Sequence, residues 1–188
     1  MSRKAKIISI GAYLPNLIKT NDDLAAVLDT SDAWIKERSG IAQRHVAEEG
    51  ELTSDLAVAA ARDALSNANL GPRDIDLIIC ATTTPDKTFP ATAVYVQQKL
   101  GMTHGAAFDV QAVCSGFVYG LSVASAMIES GQAERILLIG AETMSRILDW
   151  QDRATAVLFG DGAGAVVLEA SEVEQASDPH VIGSYIRS

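Results

Sequence analysis

Apolar runs of strand length alternate with segments of helical periodicity along most of the chain. A continuous short apolar run predicts a buried strand, whereas apolar residues three or four positions apart predict one face of a helix. The predicted strands are residues 7–14, 75–81, 135–140, 155–159, 163–170 and 180–186, and residues 41–47 are predicted to be extended. The predicted helices are residues 21–28, residues 32–38, a longer helix that follows residue 53 or 54 and stops at Gly71-Pro72, residues 91–100, and a helix that begins at or next to Cys114.

Small polar residues and a glycine mark the expected ends of the two short helices. Asn21 and Ser31 are suited to accept hydrogen bonds from the first turn of a helix, and Gly40 can take the left-handed conformation that often ends one. The sequence therefore predicts two short capped helices before the first long one.

The segment from Phe108 to Gly131 reads as a short strand, a turn and an apolar helix. No side chain between Val110 and Ile128 is formally charged. A helix that is apolar on every side lies inside a larger body or spans a membrane. The strand at its start, Gln111 and several serines, and the lack of a basic flank favour the first alternative. The sequence predicts a buried central helix.

The alternation of strands and helices predicts an α/β fold with a mainly parallel sheet. Ligand sites in such sheets form beyond the carboxyl ends of the strands. Three loops leave carboxyl ends in this prediction, namely Thr82–Pro90, residues 112–114 and residues 141–153. We expect these loops to converge, with Cys114 at the point where they meet.

The composition narrows the class of protein. The 188 residues are 48% hydrophobic but only 5% aromatic, which suits a core of small aliphatic side chains between a sheet and helices. A net charge of −9 disfavours a nucleic acid or an anionic membrane as a partner. Two cysteines provide neither a disulfide framework nor a metal cluster, and a basic start that passes directly into a strand is not a signal peptide. We expect a cytoplasmic protein without a bound metal.

Several residues have simple structural interpretations. Nothing in the spacing of His45, His104 and His180 ties them to the predicted nucleophile, so we expect surface or otherwise satisfied histidines. Cys80 lies inside a predicted buried strand. The run Gly160–Gly164 lacks the third glycine of a dinucleotide-binding loop and precedes a strand, so it predicts a tight turn or a close backbone contact.

For three other side chains, the sequence alone leaves both a structural and a functional interpretation open. Trp34 is a packing anchor or a platform for a ligand. Arg153 is a solvated charge or a ligand contact. Phe89, in a polar loop, is an interface residue or part of the packing of its own loop.

Cys114 is the strongest candidate for chemistry. Unpaired N–H groups at a helix N-terminus carry partial positive charge, which stabilises a thiolate and also an oxyanion on a bound acyl group. Position alone favours a small buried hydrophobe, as most free cysteines are. The surrounding residues 109–117 change that balance, because they read DVQAVCSGF. They closely resemble the nucleophile motif of β-ketoacyl-acyl-carrier-protein synthase III, a condensing enzyme of the thiolase superfamily.

Segments along almost the whole chain are similar to that family, and their combination is highly specific. These segments are Asn21, DTSDAWI at 29–35, RSGI at 38–41, ATT at 81–83, Phe89-Pro90, the Cys114 motif, Asp152-Arg153 and FGDGAG at 159–164. The resemblance implies a thiolase-like fold in which residues 1–171 form the amino-terminal half. Residues 172–188 would be a linker and the first strand of a second half.

The resemblance also implies roles for individual residues. Cys114 would accept the acyl group, and Trp34 and Arg153 would hold the adenine of coenzyme A between them by stacking and cation–π attraction. Thr30 and Arg38 match positions near the nucleotide end of that ligand. Phe89 matches a residue that crosses the interface of family homodimers and lines the acyl pocket of the partner, which would limit the primer to short chains.

The implied reaction is the initiation of fatty acid synthesis, without a metal or redox cofactor. Acetyl-CoA or another short acyl-CoA would acylate Cys114, and malonyl-acyl-carrier protein would then decarboxylate and attack the acyl-enzyme. The catalytic His and Asn of the family lie in the second half, so these 188 residues are expected to lack them and not to turn over alone. Two alternatives stay open: a non-catalytic or partner-completed assembly module, and an acyltransferase of the same superfamily with another acceptor.

Overall fold

The computed structural model describes residues 2–175 and 177–186 of the chain. In chain order, its helices and strands are β1 (Ser2–Tyr13), β2 (Leu17–Thr20), α1 (Asn21–Ala25), α2 (Asp32–Ser39), β3 (Gln43–Val46), α3 (Thr53–Asn67), β4 (Leu77–Ala81), α4 (Thr92–Leu100), β5 (Ala106–Val110), α5 (Gly116–Glu129), β6 (Arg135–Thr143), α6 (Arg153–Ala156) and β7 (Asp161–Val173). Short 3-10 turns lie at Pro72–Asp74, Val113–Ser115 and Met144–Arg146.

Five strands form the main sheet in the order β1-β7-β6-β4-β5, and β2 pairs with β3 in a separate two-stranded antiparallel sheet. β4 is parallel to both β5 and β6, whereas β7 is antiparallel to β6 and β1. Four of the five strands therefore point the same way, and the predicted mainly parallel α/β sheet is confirmed. β7 is the exception, because after residues 144–160 the chain returns alongside β6 in the opposite direction.

The two faces of the sheet are covered by different helices. On one face, the alanine-rich side of α3 and part of α4 pack against Ile78 and Cys80. On the other face, α5 packs against Leu77 and Ile79 through Ala124 and other buried residues. Alternate residues of β4 thus face opposite layers, as the period of a strand requires.

The helix α5 is buried on one face only within the described chain. Gly120 packs so closely on the sheet that a Cβ there would lie 2.6 Å from Leu138 Cδ1. On the other face, Val118 and Val123 are 45% and 37% exposed. The prediction that α5 is buried on every side is therefore confirmed for the face on the sheet and wrong for the opposite face, because no described element covers these valines.

The caps of the short helices are partly as predicted. Ser31 accepts a hydrogen bond from Trp34 N at 3.1 Å, and Gly40, with φ 73°, ends α2. The predicted cap at Asn21 is wrong, because Thr20 caps α1 in a capping box with Asp23. The Asn21 side chain instead lies buried between other elements.

Two predicted strands are absent. Residues 155–159 were expected to be extended, but Asp152 accepts a hydrogen bond from Ala154 N at 2.9 Å and starts α6 there. Residues 181–186 have no regular structure, and Val181 N donates one hydrogen bond to Ala5 O at 2.7 Å.

The division into residues 1–171 and 172–188 stays a prediction, although β7 itself continues to Val173. Residues 1, 176, 187 and 188, on which this division also falls, lie outside the described residues. Among the described residues, no helix is both long enough and apolar enough to cross a bilayer.

Candidate active site

A cavity of about 370 Å³ opens at the carboxyl ends of β4, β5 and β6. Parallel pairing aligns Ala81 with Val110 and with Gly140, so the loops that follow these strands begin side by side. Thr83 from the first loop, Cys114 from the second, and Glu142 from the end of β6 all line the cavity. The predicted convergence of the three loops is therefore confirmed, and Cys114 lies where they meet.

Cys114 is exposed and lies in the 3-10 turn immediately before α5. Gly116, the first residue of α5, allows this turn to approach β4, because a Cβ at that position would lie 3.2 Å from Ala81 Cβ. The predicted position at the start of a helix is confirmed. The thiol is accordingly close to the N–H end of α5, where the partial charge of the helix is positive.

The residue before the cysteine has an unusual backbone. Val113 has φ 49°, in the left-handed region that a β-branched residue rarely adopts. Such a conformation stores roughly 1–3 kcal/mol and is held in place by the surrounding structure. The bend at Val113 turns the chain from β5 into α5 and leaves Cys114 exposed to the cavity.

None of the three histidines lines this cavity. His45 Nδ1 lies 2.6 Å from Pro15 O, and His180 Nδ1 lies 2.6 Å from Asp178 O. His104 lies before β5, and its carbonyl accepts a hydrogen bond from Gln97 Nε2 at 3.0 Å. Among the described residues, no cluster of His, Cys, Asp or Glu is arranged to hold a metal ion.

A second group of side chains forms around Trp34. The Cζ atoms of Arg38 and Arg153 lie 4.5 Å and 4.7 Å from the centre of the indole ring. Arg38 follows Trp34 by four residues on α2, and Arg153 reaches the ring from α6, where Nη1 donates to Asp29 O at 2.8 Å. Next to Asp29, the Oγ1 atom of Thr30 is buried and has no hydrogen-bond partner within the described structure.

The space between Trp34 and Arg153 is closed in this structure. An aromatic ring inserted between them needs two van der Waals layers, roughly 7 Å in total. The observed 4.7 Å is shorter, so the guanidinium group must move away before a ring can enter.

The Trp34 group does not line the Cys114 cavity, but one segment connects the two. Met144 at the start of this segment and Phe159 and Gly160 at its end line the cavity. Arg153, in its middle, contacts Trp34. Residues 144–160 therefore link the cavity wall to the indole.

Phe89 is 81% exposed in the loop between β4 and α4, and it does not line the cavity of its own chain. The loop is held to the start of α3, because the Asp86 carboxylate accepts a hydrogen bond from Ser54 N at 2.9 Å. The loop thus presents Phe89 outwards from an anchored base.

Sequence reasoning missed three buried or half-buried charged groups. Glu142 accepts hydrogen bonds from the threonines that follow β4. Asp161, 5% exposed, accepts from Ala47 N at 2.7 Å and from Ser145 N at 2.8 Å. Arg44 donates to Asn21 Oδ1 at 2.9 Å, and burial lowers the pKa of its guanidinium group. For Glu142 the available signal was a charged residue near the end of an otherwise apolar strand, whereas Asp161 and Arg44 lie in polar or glycine-rich surroundings that gave no such signal.

Three comparisons relate the chain to known proteins. The sequence profile of a family described as 3-oxoacyl-[acyl-carrier-protein (ACP)] synthase III matches residues 108–187. A protein of Rhodospirillum centenum named β-ketoacyl-[acyl-carrier-protein] synthase III is 58% identical over 188 residues, which are 100% of this chain and 58% of that protein. A protein of the same name from Agrobacterium fabrum is 61% identical over 179 residues, which are 95% of this chain and 55% of that protein.

A solved structure gives the same picture. The crystal structure of 3-oxoacyl-[acyl-carrier-protein] synthase III from Aquifex aeolicus matches with a TM-score of 0.87 and 51% identity, covering 90% of this chain and 55% of that one. The chain therefore spans a little more than half the length of these relatives.

Proposed function

We propose that this chain carries the acyl-accepting part of an enzyme that initiates fatty acid synthesis. The premise is that the chain belongs to the β-ketoacyl-acyl-carrier-protein synthase III family. In this proposal Cys114 takes a short acyl group, typically acetyl, from acyl-CoA. The observation that carries the proposal is the exposed thiol of Cys114 in the cavity wall, at the N-terminal end of α5.

The first step is transfer of the acyl group to sulfur. The Cys114 thiolate attacks the thioester carbonyl, a bond forms between Sγ and the carbonyl carbon, and the bond to the coenzyme A sulfur breaks. Coenzyme A leaves as a thiolate and takes up the proton that Cys114 released. Unpaired N–H groups at the start of α5 would stabilise the oxyanion of the tetrahedral intermediate.

The second step is a decarboxylative condensation with malonyl-acyl-carrier protein. The malonyl group loses carbon dioxide, its carbanion bonds to the acyl carbonyl carbon, and the bond to Cys114 Sγ breaks to regenerate the thiolate. The enolate that forms on decarboxylation needs hydrogen-bond donors, yet neither a His nor an Asn lines the cavity in the described part of the chain. We infer that these 188 residues alone stop after acylation.

The Trp34 group is the proposed site for the nucleotide end of coenzyme A. Trp34 offers an aromatic face, Arg38 and Arg153 offer positive charge, and Thr30 offers a buried hydroxyl without a partner among the described residues. Stacking and cation–π attraction suit an adenine between Trp34 and Arg153. Binding then requires Arg153 to leave its contact with the indole.

Phe89 is the proposed contact with a second copy of the chain. Its side chain is almost fully exposed at the tip of an anchored loop, where an aromatic ring gains most from burial against another surface. In a homodimer Phe89 would close the acyl pocket of the partner and restrict it to short primers.

The acylation step is tested by intact mass after incubation of the chain with acetyl-CoA. We expect one acetyl group per chain in the wild type and in Cys80→Ala, the matched cysteine control, and none in Cys114→Ala. An unlabelled wild type, or equal labelling of Cys114→Ala, would contradict a nucleophile at this position.

The nucleotide site is tested with the same assay at varied acetyl-CoA concentration. Trp34→Ala should raise the concentration for half-maximal labelling roughly tenfold, the order expected when a stacking and cation–π contact of about 1–2 kcal/mol is lost. Trp150→Ala is the matched control, because Trp150 packs against the same apolar cluster but contacts Lys19 instead. An equal shift in both variants would indicate lost packing and not a lost ligand contact.

A second candidate function is a thiolase-like assembly module without acyl transfer. The half-exposed valines of α5 favour it, because such an apolar face is usually covered by another surface. In that case the wild-type chain stays unlabelled by acetyl-CoA but forms a stable complex with a second polypeptide.

A further inference from the structure

The sheet surface under α5 drops at the carboxyl ends of its central strands. On β4, Ile79 is buried against α5, and Ala81 follows it on the same face. On β6, Leu138 is buried in the same layer, and Gly140 follows it beside Ala81. Large side chains are thus replaced by a methyl group and a hydrogen atom at one level of the sheet. Ala81 and Gly140 form a step there, and both line the Cys114 cavity.

One side chain of α5 lies on this step. Of the described residues of α5, Phe117 alone lines the cavity. A Cβ at Gly140 would lie 3.4 Å from Phe117 Cδ2 and 3.9 Å from Phe117 Cβ, so the ring rests against the glycine backbone. The ring fits there because the glycine has no side chain. Phe117 therefore forms the inner end of the cavity.

The ring of Phe117 has little room to move away from the cavity. One turn further along α5, a Cβ at Gly120 would lie 2.6 Å from Leu138 Cδ1, so helix and sheet are in direct contact behind the ring. Phe117 is half-buried and packs against the apolar cluster that includes Leu138. Such interiors are close-packed, and an extra methylene group forces strained side chains or backbone shifts. A group that enters the cavity therefore stops at Phe117.

Phe117 is also a neighbour of the thiol. Cys114 precedes it by three positions, a spacing that brings two side chains to the same side of a helical turn, and both residues line the cavity. Met144 and Phe159, near the two ends of the segment that reaches Trp34, line the cavity as well. The coenzyme A arm would enter along this segment. An acyl group on the sulfur would then have the arm on one side and Phe117 on the other.

We propose that Phe117 is a specificity-determining residue whose ring, resting on the step, limits the acyl group on Cys114 to short chains. This inference rests on the proposed function, since it concerns the group transferred to sulfur. It differs from the proposed role of Phe89, which would act from a second copy of the chain, because Phe117 acts within its own chain. A longer acyl group must displace the ring from a packed layer or leave its methylene groups in water, and both are unfavourable.

The test compares acetyl-CoA with hexanoyl-CoA as acyl donors. Initial rates of Cys114 acylation are measured by intact mass for each donor, in chains that all carry Phe89→Ala to remove the proposed limit from a partner. We expect this reference chain to take hexanoyl at least roughly tenfold more slowly than acetyl, the order that a single surplus methylene group already gives in an apolar pocket. Equal rates in the reference chain would overturn the inference, because no limit would then come from the chain itself.

Variants then assign the limit to one ring. Phe117→Ala should raise the ratio of hexanoyl to acetyl rates by about tenfold or more. Phe108→Ala is the matched control, because it removes the same ring from the same apolar cluster at a position that does not line the cavity, and it should leave the ratio unchanged. An unchanged ratio in a folded Phe117→Ala protein overturns the inference. An equal rise in both variants indicates a loosened layer and overturns it as well.

A milder variant keeps the test decisive if Phe117→Ala does not fold. Phe117→Leu keeps an apolar side chain on the step but shortens it, so it should raise the ratio in the same direction by a smaller factor. With Phe117→Ala unfolded, no rise in Phe117→Leu overturns the inference. Absence of acetyl transfer in the wild type is a different result, because it rejects the proposed function and this inference with it.

Discussion

One cysteine lies inside the sheet and the other lies just beyond the end of a neighbouring strand, and their environments are opposite. Cys80 is in the middle of the sheet, paired with Asp109 on β5 and Ile139 on β6, and it is fully buried under α3. Cys114 lies four residues beyond the end of β5 and is exposed. Chain topology, and not the residue type, decides which thiol can react.

The electrostatic surroundings of the two thiols increase this difference. Burial raises the pKa of Cys80 well above its ordinary value, and the carboxylates of Asp109, Glu142 and Asp86 raise this pKa further. Cys114 instead is exposed in the turn at the N-terminal end of α5. The inside of a parallel sheet protects a thiol, and the carboxyl end of the same sheet exposes one.

The largest expected effect is the difference in alkylation rate between the two thiols. In the native protein, iodoacetamide should modify Cys114 at least about a thousandfold faster than Cys80, because Cys80 is fully buried and reacts only when the sheet opens. Time-resolved peptide mapping by mass spectrometry measures both rates. In denaturant the two rates should become similar, and similar rates in the native protein would reject the contrast.

Serine substitutions at the two positions should differ by a smaller amount. Cys80→Ser buries a hydroxyl in an apolar layer and should lower the free energy of unfolding by about 2 kcal/mol. Cys114→Ser should change it by less than about 0.5 kcal/mol, as is usual for an exposed side chain. Urea unfolding of both variants gives the comparison, and equal losses of stability would show that Cys114 also belongs to the core.

Much of this contrast follows from local sequence pattern. The buried run that contains Cys80, the helix α2 between Ser31 and Gly40, and the convergence of three loops at Cys114 were all predicted correctly. Strand length, helix caps and the geometry of parallel sheets depend on residues close in sequence or on general topology. These features could be deduced without coordinates.

Other features depend on contacts between distant parts of the chain. Glu142 binds threonines that lie 58 to 60 residues earlier, and Asp161 binds Ala47, 114 residues earlier. The proximity of Trp34 and Arg153 was implied only by family resemblance. Periodicity carries no information on such pairs, and it also misread residues 155–159, where a capped helical turn replaced the expected strand.

The smallest effect concerns the strained backbone next to the reactive thiol. Val113→Gly removes the clash that a side chain suffers at φ 49°, a gain of roughly 1–3 kcal/mol that is partly offset by about 1 kcal/mol because glycine makes the unfolded chain more flexible. We expect a net increase of about 1 kcal/mol in the free energy of unfolding, measured by urea denaturation.

The same variant should react more slowly at Cys114. Val113 fixes the turn between β5 and α5, and a glycine there allows other turn conformations in which the thiol is not held in the cavity wall. Val113→Ala is the matched control, because it keeps a Cβ and most of the strain, and it should change neither quantity by much. A lower stability of Val113→Gly, or an unchanged alkylation rate of Cys114, would contradict this role. The bend at Val113 would then not be the feature that holds Cys114 exposed while Cys80 is buried.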